Sequence, residues 1–255
     1  MFAHERHRSI SDLVTRKQRI TVAELQKALK ISPATLRRDL AEMEKEGLLL
    51  RVHGGVLHPN AMRREPSFRH KKGEAFSEKR AIARKAAELA GDGGTVFIDA
   101  GTTCMEIARL LLPRPEIKII TNSVPVLFEA WRTGMNVVAV GGELRTISGA
   151  LTGAGAVEWA EHLHVDMAFI GASGADPDGV STTETSEAMV KQIFVTRRRK
   201  CILLADARKW NHPATVRFAH WGEIDTWVTS TLLSPADASV VENLGAKVLR
   251  VSPEE

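Results

Sequence analysis

Residues 21–56, TVAELQKALKISPATLRRDLAEMEKEGLLLRVHGGV, decide how the front of this 255-residue chain folds. Thr21 and Glu24 have the T-x-x-E spacing of a capping box, so a helix is expected to start near Val22. Its apolar positions Val22, Leu25 and Leu29 recur at intervals of three and four, and Lys30-Ile31-Ser32 breaks the run. Ser32 is placed to cap a second helix, with Pro33 at the first helical position, where no N–H is needed. Leu36, Leu40 and Met43 form the buried stripe of that helix, and Gly47 is expected to end it. LLLRVHGGVL then reads as a hairpin of two short extended segments around Gly54-Gly55. Upstream, residues 5–16 place Ile10, Leu13 and Val14 on one side of a further helix. Three helices followed by a hairpin make a winged helix-turn-helix, expected over residues 1–57.

In that arrangement the second helix of the pair enters the major groove, with its first turns nearest the bases. Thr35 and Arg38 lie on one flank and Ala34 and Arg37 on the other, all clear of the apolar stripe. Adjacent arginines reach guanine edges or phosphates. Thr21, Ser32 and the free N–H groups at the helix starts suit phosphate, and Arg51 and His53 would sit on the wing. The competing reading of Arg37-Arg38-Asp39 is a solvated helical face on which Asp39 pairs locally. The charge distribution favours DNA. Residues 1–85 carry 20 Lys and Arg against 10 Asp and Glu, whereas residues 86–255 carry 15 against 21. A basic front and an acidic rear imply two parts with different partners.

Residues 58–76 have two prolines, many basic residues and no periodicity, and read as a linker. A helix, SEKRAIARKAAELA, is expected next with Ser77 as its cap, opening a second domain over residues 77–255. From residue 94 onward apolar runs alternate with helical segments: 96–98, 117–120, 137–140, 167–170, 202–204, 227–228 and 248–251. That alternation argues for an α/β domain with a largely parallel sheet. The N-terminus is too charged for a signal peptide, and no apolar run approaches the ~18 residues of a membrane span, so a cytoplasmic protein without membrane contact is expected. Cys104 and Cys201 sit in apolar contexts and read as buried thiols.

Ligands of open α/β sheets bind beyond the carboxyl ends of the strands. FIDAGTT puts Asp99, Gly101, Thr102 and Thr103 at one such end, with helix-start N–H groups and hydroxyls suited to an anion and a carboxylate suited to sugar hydroxyls. A capped strand-to-helix turn is the plain alternative for one such loop. Other ends supply similar groups: Thr121, Asn122 and Ser123; Gly141 and Gly142 with Arg145; Gly171, Ser173 and Gly174; Asp206, Arg208 and Lys209. Together they suggest one polar pocket with Arg145 or Lys209 as its cation.

The stretch 21–56 closely resembles the DNA-binding domain of the DeoR family of bacterial transcriptional regulators, and the resemblance continues through SEKRAIARKAAEL over nearly the whole chain. It implies a repressor whose rear domain is similar in fold to ribose-5-phosphate isomerase and binds a phosphorylated sugar or polyol. By that likeness DAGTT is the phosphate loop, TNS and GGELR are pocket segments, and LLADARKW departs from the usual Ala-Asp-Ser-Ser-Lys at Ala207-Arg208. A homo-oligomer is expected, because paired reading heads match pseudo-palindromic operators.

An enzyme is the alternative. Sugar-phosphate isomerisation needs a carboxylate base and groups that stabilise an enediolate. The acids of the isomerases' Asp-Gly-Ala-Asp-Glu turn are replaced by residues 171–175, GASGA. Asp176 and Asp178 fall in a turn, Glu184 and Glu187 remain as bases, and Glu187 with Lys191 reads more simply as an i,i+4 pair. No G-x-x-x-x-G-K-[ST] or H-E-x-x-H motif occurs, and His162 and His164 lack the companions of a metal site, so no cofactor or metal is expected. Arg197–Lys200 reads as a solvated helix end favoured by the dipole.

Overall fold

The computed structural model describes residues 3–17, 19–46, 48–52, 54–57 and 65–253, which fall into two units dividing between Glu65 and Pro66. The front unit runs α1 (Ala3–Lys17), β1 (Arg19–Thr21), α2 (Val22–Leu29), α3 (Pro33–Lys45), β2 (Leu50–Val52) and β3 (Gly55–Leu57). Its helices start where the caps require: the Thr21–Glu24 capping box is closed, and the Ser32 hydroxyl accepts from the Thr35 N–H. Lys30 ends α2 in the left-handed region at φ 52°, its N–H donating to the Gln26 carbonyl. The wing has three strands rather than two, because β1 pairs antiparallel with β3. Gly55 permits this approach, since a Cβ there would meet the Ile20 carbonyl oxygen at 2.7 Å. Ile10, Val14, Ile20, Leu25, Leu36, Leu40, Met43, Leu49 and Val56 close a core of their own. Gly47, the expected end of α3, lies outside the described residues.

The rear unit begins with α4 (Phe68–Gly73) and α5 (Phe76–Leu89), followed by β4 (Gly94–Ile98), α6 (Thr102–Leu111), β5 (Ile117–Thr121), α7 (Val124–Thr133) and β6 (Val138–Ala139). A hairpin of β7 (Glu143–Arg145) and β8 (Ala150–Thr152) precedes α8 (Ala154–Glu161) and β9 (Val165–Gly171). Then come β10 (Gly174–Asp176), β11 (Gly179–Thr182), α9 (Thr185–Thr196), β12 (Arg198–Leu204), β13 (Val216–Ala219), β14 (Thr226–Ser230), α10 (Pro235–Asn243) and β15 (Lys247–Val251). The main sheet has the order β15-β14-β12-β9-β4-β5-β6 with every pairing parallel, and its strands are the seven apolar runs read from the sequence.

Both faces of this sheet are covered, and side chains alternate between them. Val96, Ile98, Met167, Phe169, Ile202 and Leu204 face one core, which α5, α6 and α7 complete with Ile82, Ala86, Ile107, Leu111 and Val126. Phe97, Ala168, Ile170, Cys201 and Leu203 face the other, closed by residues of α8, α9 and α10. Phe97 stacks on Phe194 with ring centroids 3.6 Å apart. Burying each such ring contributes about 1.5–3 kcal/mol. Trp210, Trp221 and Trp227 form a triangle with centroids 5.3, 5.9 and 6.1 Å apart. Their indole N–H groups donate to Asp237 Oδ1, the Asp176 carbonyl and the Ala205 carbonyl. The small antiparallel sheet β10-β11-β13 and the β7–β8 hairpin were not visible in the periodicity, their strands being only three or four residues long.

The aperiodic stretch 58–76 contains a helix. Phe68 begins α4, donates its N–H to the Ile147 carbonyl at 2.7 Å and packs against the α5–α7 core, so residues from Pro66 onward belong to the rear unit. Ser77 does not cap α5. The helix starts two residues earlier, at Phe76, with Ala75 as N-cap at φ 46° and no side-chain cap. The turn before it is instead held by Lys79, whose ammonium donates to the carbonyls of Lys71 and Glu74. Among the described residues no helix is long and apolar enough to cross a membrane.

Candidate functional site

The exposed face of α3 carries Ala34, Arg37 and Arg38. Among the described residues neither arginine has an ion pair, so both guanidiniums face solvent with their donors available. Asp39, next to them, does the opposite. It occupies the buried stripe with Leu36, Leu40 and Met43, and takes a two-pronged bond from Arg6 of α1: Nε to Oδ2 at 2.7 Å and Nη2 to Oδ1 at 2.9 Å. His7 Nε2 stands 3.4 Å from Oδ1. The Arg6 bonds hold the Asp39 carboxyl below its ordinary range against the effect of burial. Local pairing of Asp39 is therefore replaced by a tie between α1 and α3, which fixes the register at which the two arginines are presented.

The hydroxyls expected to meet phosphate are partly engaged. Ser32 and Thr35 lie 2.8 Å apart at the start of α3, Ser32 exposed. The Thr21 hydroxyl accepts from the Glu24 N–H and donates to Glu24 Oε2, so its polar capacity is spent on capping. Arg51 is exposed on β2, its guanidinium 4.0 Å from Glu44 Oε2 and its N–H bonded to Glu44 Oε1. His53 lies outside the described residues.

In the rear unit the central feature is Asp99, 1% exposed at the end of β4. Its Oδ2 accepts from the Gly171 N–H at 2.9 Å and from the Lys191 ammonium, which also donates to the Gly171 carbonyl at 3.1 Å. Its Oδ1 is buried with no hydrogen-bond partner among the described residues. Burial pushes this carboxyl up, opposed by Lys191 and the Gly171 N–H. One turn earlier on α9, Glu187 accepts from Arg145 Nη1 at 3.0 Å and from the Thr182 hydroxyl at 3.4 Å. Arg145 also donates to the Ser148 hydroxyl at 3.3 Å. Glu187 and Lys191 thus do not form the expected i,i+4 pair. Both are buried, and each reaches a partner on another element.

Beside Asp99, Gly101 precedes α6, whose N-terminus has no side-chain cap, and Thr102 and Thr103 are buried there. The first N–H groups of such a helix have no intrahelical acceptor. Asn122 Oδ1 accepts from the Ala100 N–H at 2.8 Å and so shapes this loop. Its neighbours serve the fold: Thr121 donates to the Ile98 carbonyl and accepts from the Ser123 N–H, while the Ser123 hydroxyl accepts from the Val126 N–H at the start of α7. Gly142 is required by packing, since at φ 98° a Cβ would lie 2.3 Å from the Thr152 carbonyl oxygen, whereas Gly141 at φ 79° borders open space.

Lys209 lies in a second group, with Asp206, Lys71, Arg208 and Glu74 in its field, and burial lowers its pKa. Asp206 is committed to Arg208, accepting at 3.0 and 3.3 Å. Lys79 belongs to the same group, and burial brings it down to about 8. Sequence reasoning passed over Lys79 and took Lys191 only as a helical partner of Glu187. The signal was present: each lies on the apolar stripe of its helix, Lys79 with Ile82, Ala83 and Ala86, and Lys191 with Glu187, Phe194 and Val195. Cys104 and Cys201 are buried free thiols. Burial raises both, Cys201 to about 12, so they pack and are not nucleophiles.

Residues 6–61 match the family described as DeoR-like helix-turn-helix domain, and residues 74–231 match the DeoR C terminal sensor domain. This chain belongs to the DeoR family. It is a helix-turn-helix transcriptional regulator. The DeoR-family relatives include the HTH-type transcriptional regulator GlpR of Haloferax volcanii, 35% identical over 98% of each chain. The glycerol-3-phosphate regulon repressor of Escherichia coli is 31% identical over 94% of each. The HTH-type transcriptional repressor GlcR of Bacillus subtilis is 30% identical over all of this chain and 99% of that one. Among solved structures, ribose 5-phosphate isomerase A from Methanocaldococcus jannaschii is 18% identical over 52% of this chain and 53% of that one, with a TM-score of 0.38. The DeoR sensor match spans Asp99, Arg145, Glu187, Lys191 and Lys209 alike. Among the described residues no group of three or more His, Cys, Asp or Glu could hold a metal ion.

Proposed function

We propose that this DeoR-family regulator is a cytoplasmic repressor that binds operator DNA as a homo-oligomer and releases it when a phosphorylated sugar or polyol occupies the carboxyl ends of its parallel sheet. Arg37 and Arg38 read bases or phosphates, with Ala34 allowing close approach and Ser32, Thr35 and Arg51 placed for the backbone. The names of the relatives, a glycerol-3-phosphate regulon repressor among them, support a phosphorylated polyol or sugar as the signal.

The observation that carries the sensor reading is the partnerless Asp99 Oδ1, buried beside an uncapped helix start. A buried acceptor without a donor costs free energy that a ligand hydroxyl recovers on binding. The N–H groups and hydroxyls of Thr102 and Thr103 suit the phosphate, with Lys209, from the segment after β12, as the candidate cation. An isomerase would need an uncommitted carboxylate base. Asp99 faces Lys191 and Glu187 faces Arg145, which favours holding a ligand over taking its proton.

A ligand regulates only through unequal affinity for the DNA-competent and incompetent states. The test is operator binding with and without a panel of phosphorylated sugars and polyols, in wild type and in Thr103→Val. An effective ligand should weaken wild-type binding, while the variant should keep its operator affinity and lose the response. A normal response in the variant would place the pocket elsewhere. Aldose–ketose turnover by the full chain would overturn the sensor reading.

A further inference from the structure

At the opposite end of the same sheet, where β9 and β12 begin, lies a recess of about 470 Å³ lined by His164, Asp166, Thr196, Arg197, Arg198 and Arg199. We propose that this recess binds the phosphate group of a small molecule, at a site separate from the pocket at the carboxyl ends of the strands. Three consecutive arginines line it, and Asp166 is the acid in its lining. Asp166 is largely committed: Oδ2 accepts from the Thr95 N–H at 2.9 Å, and Oδ1 stands 3.6 Å from the exposed Arg199.

The arginines are not needed to finish the helix before them. The Thr196 hydroxyl donates to the carbonyls of Gln192 and Ile193, and the Arg197 N–H donates to Ile193 as well. Their positive charge is surplus to capping. Arg198 spends Nη2 on the Glu223 carbonyl at 2.6 Å and lies 3.6 Å from Asp225, whose Oδ2 already accepts from the Cys201 N–H. That leaves Arg198 Nε buried without an acceptor among the described residues. Arg197 is half-buried, and among the described residues it has no ion pair.

A planar guanidinium with free donors is matched by the oxygens of a phosphate, which it binds in a forked, charge-assisted arrangement. A concave recess of this volume fits a small molecule rather than a duplex. Helix α9 joins the two ends, carrying Glu187 and Lys191 near its start and leading into Arg197 at its finish.

The full chain titrated with pyrophosphate at constant ionic strength, followed through arginine Nε–H NMR signals, tests this. The Arg198 signal should shift saturably. The affinity should fall about tenfold or more in R197A/R199A, because each lost arginine removes a charge-assisted contact. It should be unchanged in K209A, which alters only the other end of the sheet. R199A alone, at an exposed position, guards against misfolding of the double variant and should weaken binding by a smaller factor. An equal shift with sodium chloride, or saturation that survives R197A/R199A, would overturn the proposal, leaving an adventitious ion only. Operator affinity lost in R197A/R199A, without a pyrophosphate effect, would assign the arginines to DNA instead.

Discussion

Two aspartates, one in each unit, are buried against a cation, yet they are finished differently. Asp39 has both oxygens engaged by the fork of Arg6, and its carboxyl is held below its ordinary range. Asp99 has one oxygen shared by Lys191 and the Gly171 N–H, the other idle, and a carboxyl pushed up by burial. Burial and an ion pair are common to both and therefore do not distinguish a strut from a site. The completeness of the hydrogen-bond account is what we propose does so: the closed account ties helices together, and the open one is where the proposed ligand would bind.

The sharpest way to break this contrast is Lys191→Met, which leaves the buried Asp99 carboxylate without its cation. A loss of about 3–5 kcal/mol in rear-unit stability is expected from urea unfolding. Asp99→Asn combined with Lys191→Met should recover most of that stability and still leave the effector response abolished. If the double variant responds, Asp99 is a strut after all. Arg38→Ala leaves both aspartates untouched and should weaken operator binding by about 1–3 kcal/mol if the contact is bidentate, read by fluorescence anisotropy. Asp39→Ala should lower the front unit's unfolding midpoint and operator affinity together, because α1 no longer sets the placement of α3. Thr21→Ala opens the capping box and should cost about 1 kcal/mol in the same unit.

The remaining expected effect is a pH dependence at Lys79. Its folded pKa is about 8 against an ordinary 10.5, depressed by burial. Between these values the unfolded chain holds the proton and the folded chain has lost it. Raising the pH through that window therefore adds stability through this group, and lowering it below 8 withdraws that gain. Lys79→Met should flatten the slope of stability against pH between 8 and 10.5, as measured by thermal unfolding in a pH series. An unchanged slope would mean that Lys79 titrates normally.

What could be read from the sequence follows the range of the forces involved. Caps and stripes act over three to seven residues, so the starts of α2 and α3 and the seven parallel strands were legible. The same local rules do not reach the partner of Asp39, 33 residues away, and they misread Lys191, whose partner is 92 residues away. The i,i+4 rule paired Glu187 with Lys191, but the apolar stripe of α9 carried both inward to the partners that the sheet brings to its carboxyl ends. Phe68 illustrates the same limit. A six-residue helix anchored by one aromatic has no periodicity to detect, and its place depends on the Ile147 carbonyl far along the chain. Within the candidate site, Asp99 and the Thr102-Thr103 helix start were found from their position after a strand. That Thr121, Ser123 and Gly142 serve packing could not be seen without their neighbours.

The tryptophan triangle gives the rear unit an optical consequence. The chain has five tryptophans and no tyrosine, so its near-ultraviolet spectrum is essentially an indole spectrum. Three of those indoles lie close enough for their transitions to couple, and Trp210 directly follows Lys209. A small displacement of the Lys209 segment would tilt one ring of the triangle and alter the coupled dichroism of all three, so the protein carries an intrinsic chromophore beside one end of its candidate ligand site.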